Sequence, residues 1–185
     1  MNSFKIDKSW TLFLDRDGVI NKRLIDDYVK SWDEFEFLPG TINAIADFSQ
    51  WFGVIVVVTN QQGIGKGLMT VDDLQSIHNQ MVESIEQGQG RIDGIYFCPD
   101  LKHTNPVCRK PQPGMGYQAK EDFPEIDFSK SIMVGDSLSD MEFGRKLGMK
   151  NVFISSEINI HDDNLTDITT TNLDSLASIL RENMT

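Results

Sequence analysis

Leu12-Phe13-Leu14-Asp15-Arg16-Asp17-Gly18-Val19-Ile20-Asn21 joins a short apolar run to two carboxylates and a glycine. The apolar part is too short for a helical repeat and reads as a buried strand. Its carboxyl end is where an open α/β sheet keeps its chemistry, so Asp15 and Asp17 converge there on one pocket. One carboxylate at such a place can attack phosphorus while the other supplies a proton. A calcium loop also opens on Asp-x-Asp, but it would need an oxygen ligand at position 19 and a glycine at position 20. Those positions hold Val19 and Ile20, and the segment before them has no helical periodicity.

Outward from this stretch, apolar and β-branched runs at Thr11–Leu14, Val54–Val58, Gly94–Phe97, Ile132–Val134 and Val152–Ile154 have the unbroken apolar character of strands covered on both faces. Helical segments alternate with them. Pro39-Gly40 opens a helix over Thr41–Trp51, Thr70 caps one running to Gln87, and others are expected over Met115–Asp122, Leu138–Leu147 and Leu173–Leu180. The alternation predicts a single α/β domain over residues 1–185, a doubly wound, Rossmann-like sandwich around a mainly parallel sheet. Between the first two strands lie only a polar loop, Lys22–Leu38, and one helix, which leaves no room for a large cap domain. The acidic segment Glu157–Asp167 is expected to be an exposed loop.

The 185 residues suit one continuous core, and the formal charge of −11 repels nucleic acid and anionic lipid alike. No nucleic-acid or membrane partner is therefore expected. A phosphorylated substrate would have to be met by local cations or a divalent metal ion. Val54–Val58 is far too short to cross a bilayer. Two cysteines, Cys98 and Cys108, make no secreted disulfide framework, and Met1–Trp10 carries no apolar leader, so a cytoplasmic protein, expected to be monomeric, is the reading.

Three further motifs follow in order. Val57-Val58-Thr59-Asn60-Gln61 ends a strand on a hydroxyl and amides that can hydrogen-bond a phosphoryl oxygen, Cys108-Arg109-Lys110-Pro111 adds two cations, and Val134-Gly135-Asp136 ends another strand on a carboxylate. Asp140 follows at the start of a helix. Singly, Thr59 could cap a turn, Lys110 could be a solvated lysine and Asp136 an N-cap, but those readings do not predict this order along one chain.

The order resembles that of the haloacid dehalogenase phosphatases. The resemblance rests on Asp15-Arg16-Asp17-Gly18 with Asn21, Thr59-Asn60-Gln61, Arg109-Lys110-Pro111 and Gly135-Asp136, and spans about Thr11 to Ile154. It implies that Asp15 is a nucleophile forming an aspartyl-phosphate and that Asp17 is the acid, later the base. Thr59 and Lys110 would hold the transferred group, with Asn60, Gln61 and Arg109 also binding substrate. Magnesium would be bound by Asp15, the Asp17 carbonyl oxygen and Asp136.

Within that family the motifs are similar to the branch holding histidinol-phosphate phosphatases and heptose-1,7-bisphosphate phosphatases. Tyr28-Val29, Phe35-Glu36-Phe37, Gly63-Ile64-Gly65-Lys66-Gly67 and Pro113-Gly114-Met115 resemble the heptose enzymes more. Arg109 and Lys66 also suit a phosphorylated sugar with a second anion better than a cationic aminoalkyl phosphate. A nucleic-acid end phosphatase and a non-catalytic phosphosugar-binding module are the remaining alternatives. The family often carries a zinc loop of the form Cys-x-His and Cys-x-Cys before Arg-Lys-Pro. Here the positions read Cys98-Pro99-Asp100 and Pro106-Val107-Cys108, so two ligands are missing. The loop is expected to hold its shape without stoichiometric zinc, stiffened by Pro99, Pro106, Pro111 and Pro113; a site of Cys98, His103 and Cys108 is the alternative. His78 and His161 have no evident catalytic partner.

Overall fold

The computed structural model describes residues 5–155 and 164–182. Among them, six strands form one parallel sheet: β1 (Thr11–Leu14), β2 (Val54–Asn60), β3 (Gly94–Cys98), β4 (Ser131–Gly135), β5 (Lys150–Ile154) and β6 (Ile168–Thr170), in spatial order β3-β2-β1-β4-β5-β6. The helices are α1 (Thr41–Trp51), α2 (Val71–Gln87), α3 (Gly114–Asp122), α4 (Leu138–Leu147) and α5 (Leu173–Glu182). The architecture is the predicted doubly wound α/β sandwich, and no cap domain interrupts it among the described residues.

Alternation along the strands divides the core between two layers. Leu12 and Leu14 of β1, with Ile55 and Val57 of β2, face α1, α5 and the second half of α2, meeting Phe48, Leu176 and Met81. Phe13, Val56 and Val58 face the opposite way, where Met115 and Ala119 of α3 and Phe143 of α4 cover them. This two-sided burial is why β1 and β2 are apolar without a polar face. Helix α2 starts at a reciprocal capping box between Thr70 and Asp73, as the sequence suggested.

Two features differ from the sequence reading, and a third falls largely outside the described residues. Strand β6 is short and polar, too weak in pattern to be expected, and exists by pairing with β5. The segment Lys22–Leu38 is not simply polar: Val29 is buried, and Trp32 stacks on Phe35 at 4.8 Å, anchoring the loop near α2. Of the acidic segment Glu157–Asp167, residues 157–163 lie outside the described residues, as does His161. At its end Asp167 accepts from the Asn151 amide at 2.8 Å and pairs with Arg145.

Candidate active site

The carboxyl ends of β1, β2 and β4 and the loop after β3 meet at one cavity. Its walls include Asp15, Asp17, Arg23, Tyr28, Thr59 and Lys110. Asp15 continues the sheet ladder, its amide donating to the Val134 carbonyl at 2.9 Å, so its side chain leaves a rigid strand end. The chain then folds back tightly, with the amides of Ile20 and Asn21 donating to the Arg16 carbonyl. Glycine is required at position 18 twice over. Its φ is +92°, and a Cβ there would lie 1.9 Å from Asp136 Oδ2. The close approach of this turn to β4 brings Asp136 to Asp15.

Lys110 is the buried cation at the floor. Its Nζ lies 2.9 Å from Asp15 Oδ1 and 2.6 Å from Asp140 Oδ1, and it donates to the Val58 carbonyl at 2.7 Å. Burial opposes its charge, but Asp140 and Asp15 outweigh burial and raise its pKa. The lysine is held from behind by Asn60, whose Oδ1 accepts from the Lys110 amide at 3.0 Å and whose Nδ2 donates to the Lys110 carbonyl at 3.2 Å. Asn60 borders the cavity, yet its amide group is occupied in fixing this backbone.

Gln61 is not among the residues that line the cavity. It is buried behind the cavity wall, and its Nε2 donates to Asp17 Oδ2 and Thr59 Oγ1, both at 2.8 Å. Its amide nitrogen thus bridges two other residues expected in the site. Thr59 keeps its hydroxyl proton free of that bond, available to a phosphoryl oxygen. Arg109 lines the same cavity, and its Nη1 is buried without a hydrogen-bond partner in the described structure. Lys66 instead lies over the Tyr28 ring at 5.1 Å.

The carboxylates are electrostatically unequal. Burial, reinforced by the charge of Asp140 and only partly offset by Lys110, pushes the Asp15 pKa up to about 6. Burial and the charge of Asp15 raise Asp136 to about 7. Asp17 goes the other way: burial opposes its charge, but the Arg16 guanidinium and hydrogen bonds from Asn21, Arg16 and Gln61 hold its pKa below the usual carboxylate range. Oxygens of Asp15, Asp136 and Asp140 lie within 4.8 Å of one another. Asp140 is already committed, one oxygen to Lys110 and the other to Ser137 at 2.5 Å, which leaves Asp15 and Asp136 as the carboxylates with most reason to share a cation. Arg23 Nη2 lies 3.0 Å from Asp136 Oδ1 and partly supplies that charge.

Sequence reasoning gave no role to Asp140 as the second partner of Lys110, nor to Arg16, Arg23 or His78. A signal for His78 existed: with Leu74, Ile77, Met81 and Ile85 it falls on the buried stripe of α2. The cysteines also differ from expectation. Cys98 and Cys108 form a disulfide, closing the loop from the end of β3 to the residue before Arg109. The acidic side chain near them is Asp100, whose Oδ2 is 3.6 Å from Cys108 Sγ; the alternative set with His103 is not assembled. Thiols joined in a disulfide are not thiolate ligands, so structural zinc has no support here.

Comparison with known proteins agrees with this geometry. A HAD-hydrolase-like family model matches residues 107–179. The chain is 44% identical over 138 residues to the D-glycero-alpha-D-manno-heptose-1,7-bisphosphate 7-phosphatase of Mycobacterium bovis, covering 75% of this chain and 73% of that protein. It is 40% identical over 143 residues to the D-glycero-beta-D-manno-heptose-1,7-bisphosphate 7-phosphatase of Neisseria meningitidis, covering 77% and 75%. The crystal structure of D,D-heptose 1,7-bisphosphate phosphatase from B. bronchiseptica, complexed with magnesium and phosphate, superposes with a TM-score of 0.82 at 31% identity, covering 94% of this chain and 98% of that one. The chain belongs to the haloacid dehalogenase-like hydrolases and is a phosphatase of that family. None of the helices described is long and apolar enough to cross a membrane.

Proposed function

We propose that this phosphatase removes the 7-phosphate from a D-glycero-D-manno-heptose 1,7-bisphosphate through an aspartyl-phosphate on Asp15. The observation that carries the chemistry is the buried Asp15 carboxylate, 2.9 Å from Lys110 Nζ, at the floor of a cavity that Asp17 and Thr59 also line. A carboxylate oxygen of Asp15 attacks phosphorus, and the bond from phosphorus to the sugar oxygen breaks. Asp17 gives its proton to that departing oxygen. It then takes a proton from a water molecule, which attacks phosphorus and releases phosphate from Asp15.

The low pKa of Asp17 suits the second role as it stands. For the first, the negative phosphoryl group arriving beside it pushes the pKa back up, since a like charge favours the protonated form. Thr59 and Lys110 hold the transferred oxygens, and Gln61 keeps Thr59 and Asp17 in register. The site fits magnesium, because Asp15 and Asp136 repel each other in a buried position and offer hard oxygen donors. With the Asp17 carbonyl oxygen they would hold the ion, which supplies charge compensation between an anionic nucleophile and an anionic ester.

Two arginines, Arg23 and Arg109, share this cavity in a chain of charge −11. They favour a substrate with a second anionic group over the cationic tail of histidinol phosphate. A phosphate-release screen with magnesium tests the assignment on both anomers of the heptose bisphosphate, histidinol phosphate and a 3′-phosphorylated oligonucleotide. The heptose bisphosphate should be preferred, and Arg109→Ala should lower kcat/KM more for it than for a monophosphorylated sugar. Asp15→Asn should abolish turnover. Near-native activity of Asp15→Asn would refute the covalent route, and a preference for histidinol phosphate would refute the substrate.

A further inference from the structure

Arg16 stands between the two principal carboxylates and is completely buried, a costly place for a charge unless its donors are paired. Its Nη2 lies 3.0 Å from both oxygens of Asp17. Its other terminal nitrogen, Nη1, lies 3.3 Å from Nε2 of His78 on α2. A guanidinium only donates, so Nε2 of His78 is the acceptor and the ring proton resides on Nδ1. His78 is itself buried, on the stripe otherwise filled by Leu74, Ile77, Met81 and Ile85, with its ring edge towards Phe97 at 6.3 Å. An apolar residue would suit that stripe without burying a polar ring.

We propose that His78 is a positioning residue for the acid–base step, fixing the Arg16 guanidinium whose Nη2 in turn holds the Asp17 carboxylate at the cavity wall. This rests on the assignment of Asp17 as acid and base given above. Without the acceptor, Nη1 is left unpaired in the core and the guanidinium turns to find a partner, taking the Asp17 carboxylate with it. Asn21 and Gln61 also hold that carboxylate, at 3.0 and 2.8 Å, so the loss is partial and falls on orientation.

The test follows the first chemical step in single turnovers, with enzyme in excess over either a phosphorylated sugar or p-nitrophenyl phosphate. The sugar alkoxide needs a proton on leaving, whereas nitrophenolate does not. His78→Leu should slow release of the sugar roughly tenfold, the scale of one hydrogen bond to a charged group. Release of nitrophenolate and the enzyme concentration giving half-maximal rate should stay within about twofold. His78→Gln, which places an acceptor oxygen where Nε2 was, should recover most of the rate. Thermal melts monitor folding, and if His78→Leu does not fold, His78→Gln against the shorter His78→Asn makes the same comparison. Equal losses on both substrates, or an unchanged sugar rate in a folded variant without the acceptor, overturn the proposal. Asp17→Asn is the control. If it loses the sugar reaction while His78→Leu does not, positioning by His78 is wrong; if it keeps that reaction, the acid–base assignment itself falls and the positioning role with it.

Discussion

Mild acid should draw stability out of this fold at one residue, His78. Burial first, and then the adjacent Arg16 charge, depress its pKa from 6.5 to about 3, with Asp17 pulling weakly the other way. The unfolded chain therefore takes up a proton on this ring as the pH falls through about 6.5, while the folded chain does not until about 3. The stability this imidazole contributes is complete above about pH 6.5 and is lost as the pH falls. At about pH 5 the gap is roughly 1.5 units, which at about 1.4 kcal/mol per unit is about 2 kcal/mol. Continued to about pH 3 it would reach on the order of 5 kcal/mol.

Urea unfolding of the native chain and of His78→Gln, each at about pH 7.5 and about pH 5, isolates the effect as a difference of differences. His103 and His161 are present in both proteins and cancel. The native chain should lose about 2 kcal/mol more than the variant between the two pH values. Parallel losses would show that folding does not depress the His78 pKa, and the reasoning from its burial beside Arg16 would fail.

Lys110→Met leaves Asp15 and Asp140 buried without their shared cation, so it should cost about 3 kcal/mol or more near neutral pH. Thermal melts across pH should show that cost shrinking as Asp15 takes up a proton; a pH-independent loss would mean that only packing was disturbed. Asp15 and Asp136 have folded-state pKa values raised to about 6 and about 7, so their contribution to stability is present in acid and is lost as the pH rises from about 4 through 7. Magnesium should accordingly raise the Tm of the chelator-stripped protein more at about pH 8 than at about pH 5, and an equal shift at both would contradict the carboxylates as its ligands. Arg23→Ala removes a half-exposed cation from Asp136 and should lower the magnesium concentration for half-maximal activity roughly two- to fivefold, the scale of one exposed ion pair. An unchanged value in a metal titration would show that Arg23 does not compete.

The strand that delivers Asp15 was legible because it obeys a short-range rule, and the order of the later motifs was legible through its resemblance to the haloacid dehalogenase phosphatases. An apolar run covered on two faces has a distinctive composition, and a carboxylate at its end has few structural uses. The roles of Asn60 and Gln61 were not legible in the same way. An amide after a strand suits either a ligand or a neighbouring backbone, and only the return of Lys110 from 50 residues along the chain decides that Asn60 clamps it. Strand β6 fails for a related reason, since three residues, two of them threonine, acquire strand geometry from pairing with β5 rather than from their own pattern. The disulfide between Cys98 and Cys108 depends likewise on how the loop closes, which spacing alone leaves open.

The same long-range closure accounts for how so acidic a chain can receive a phosphate. Asp15, Asp17, Asp136 and Asp140 would make the cavity floor repulsive if they stood alone. The fold answers each with a cation from another part of the chain or from the next residue: Lys110 for Asp15 and Asp140, Arg16 for Asp17, and Arg23 for Asp136. Arg109 is left over, lining the cavity with no carboxylate of its own within salt-bridge distance among the described residues. With Asp27, which also lines the cavity, answered by Lys30, five carboxylates and five cations bring the site near neutrality within a chain of charge −11. With the proposed magnesium bound, the site would turn positive by two, which a phosphoryl dianion would cancel. On the proposed function binding would therefore be strongest with ion and phosphate both present, and Lys110, shared between Asp15 and Asp140, is the cation whose loss the remaining groups are least able to replace.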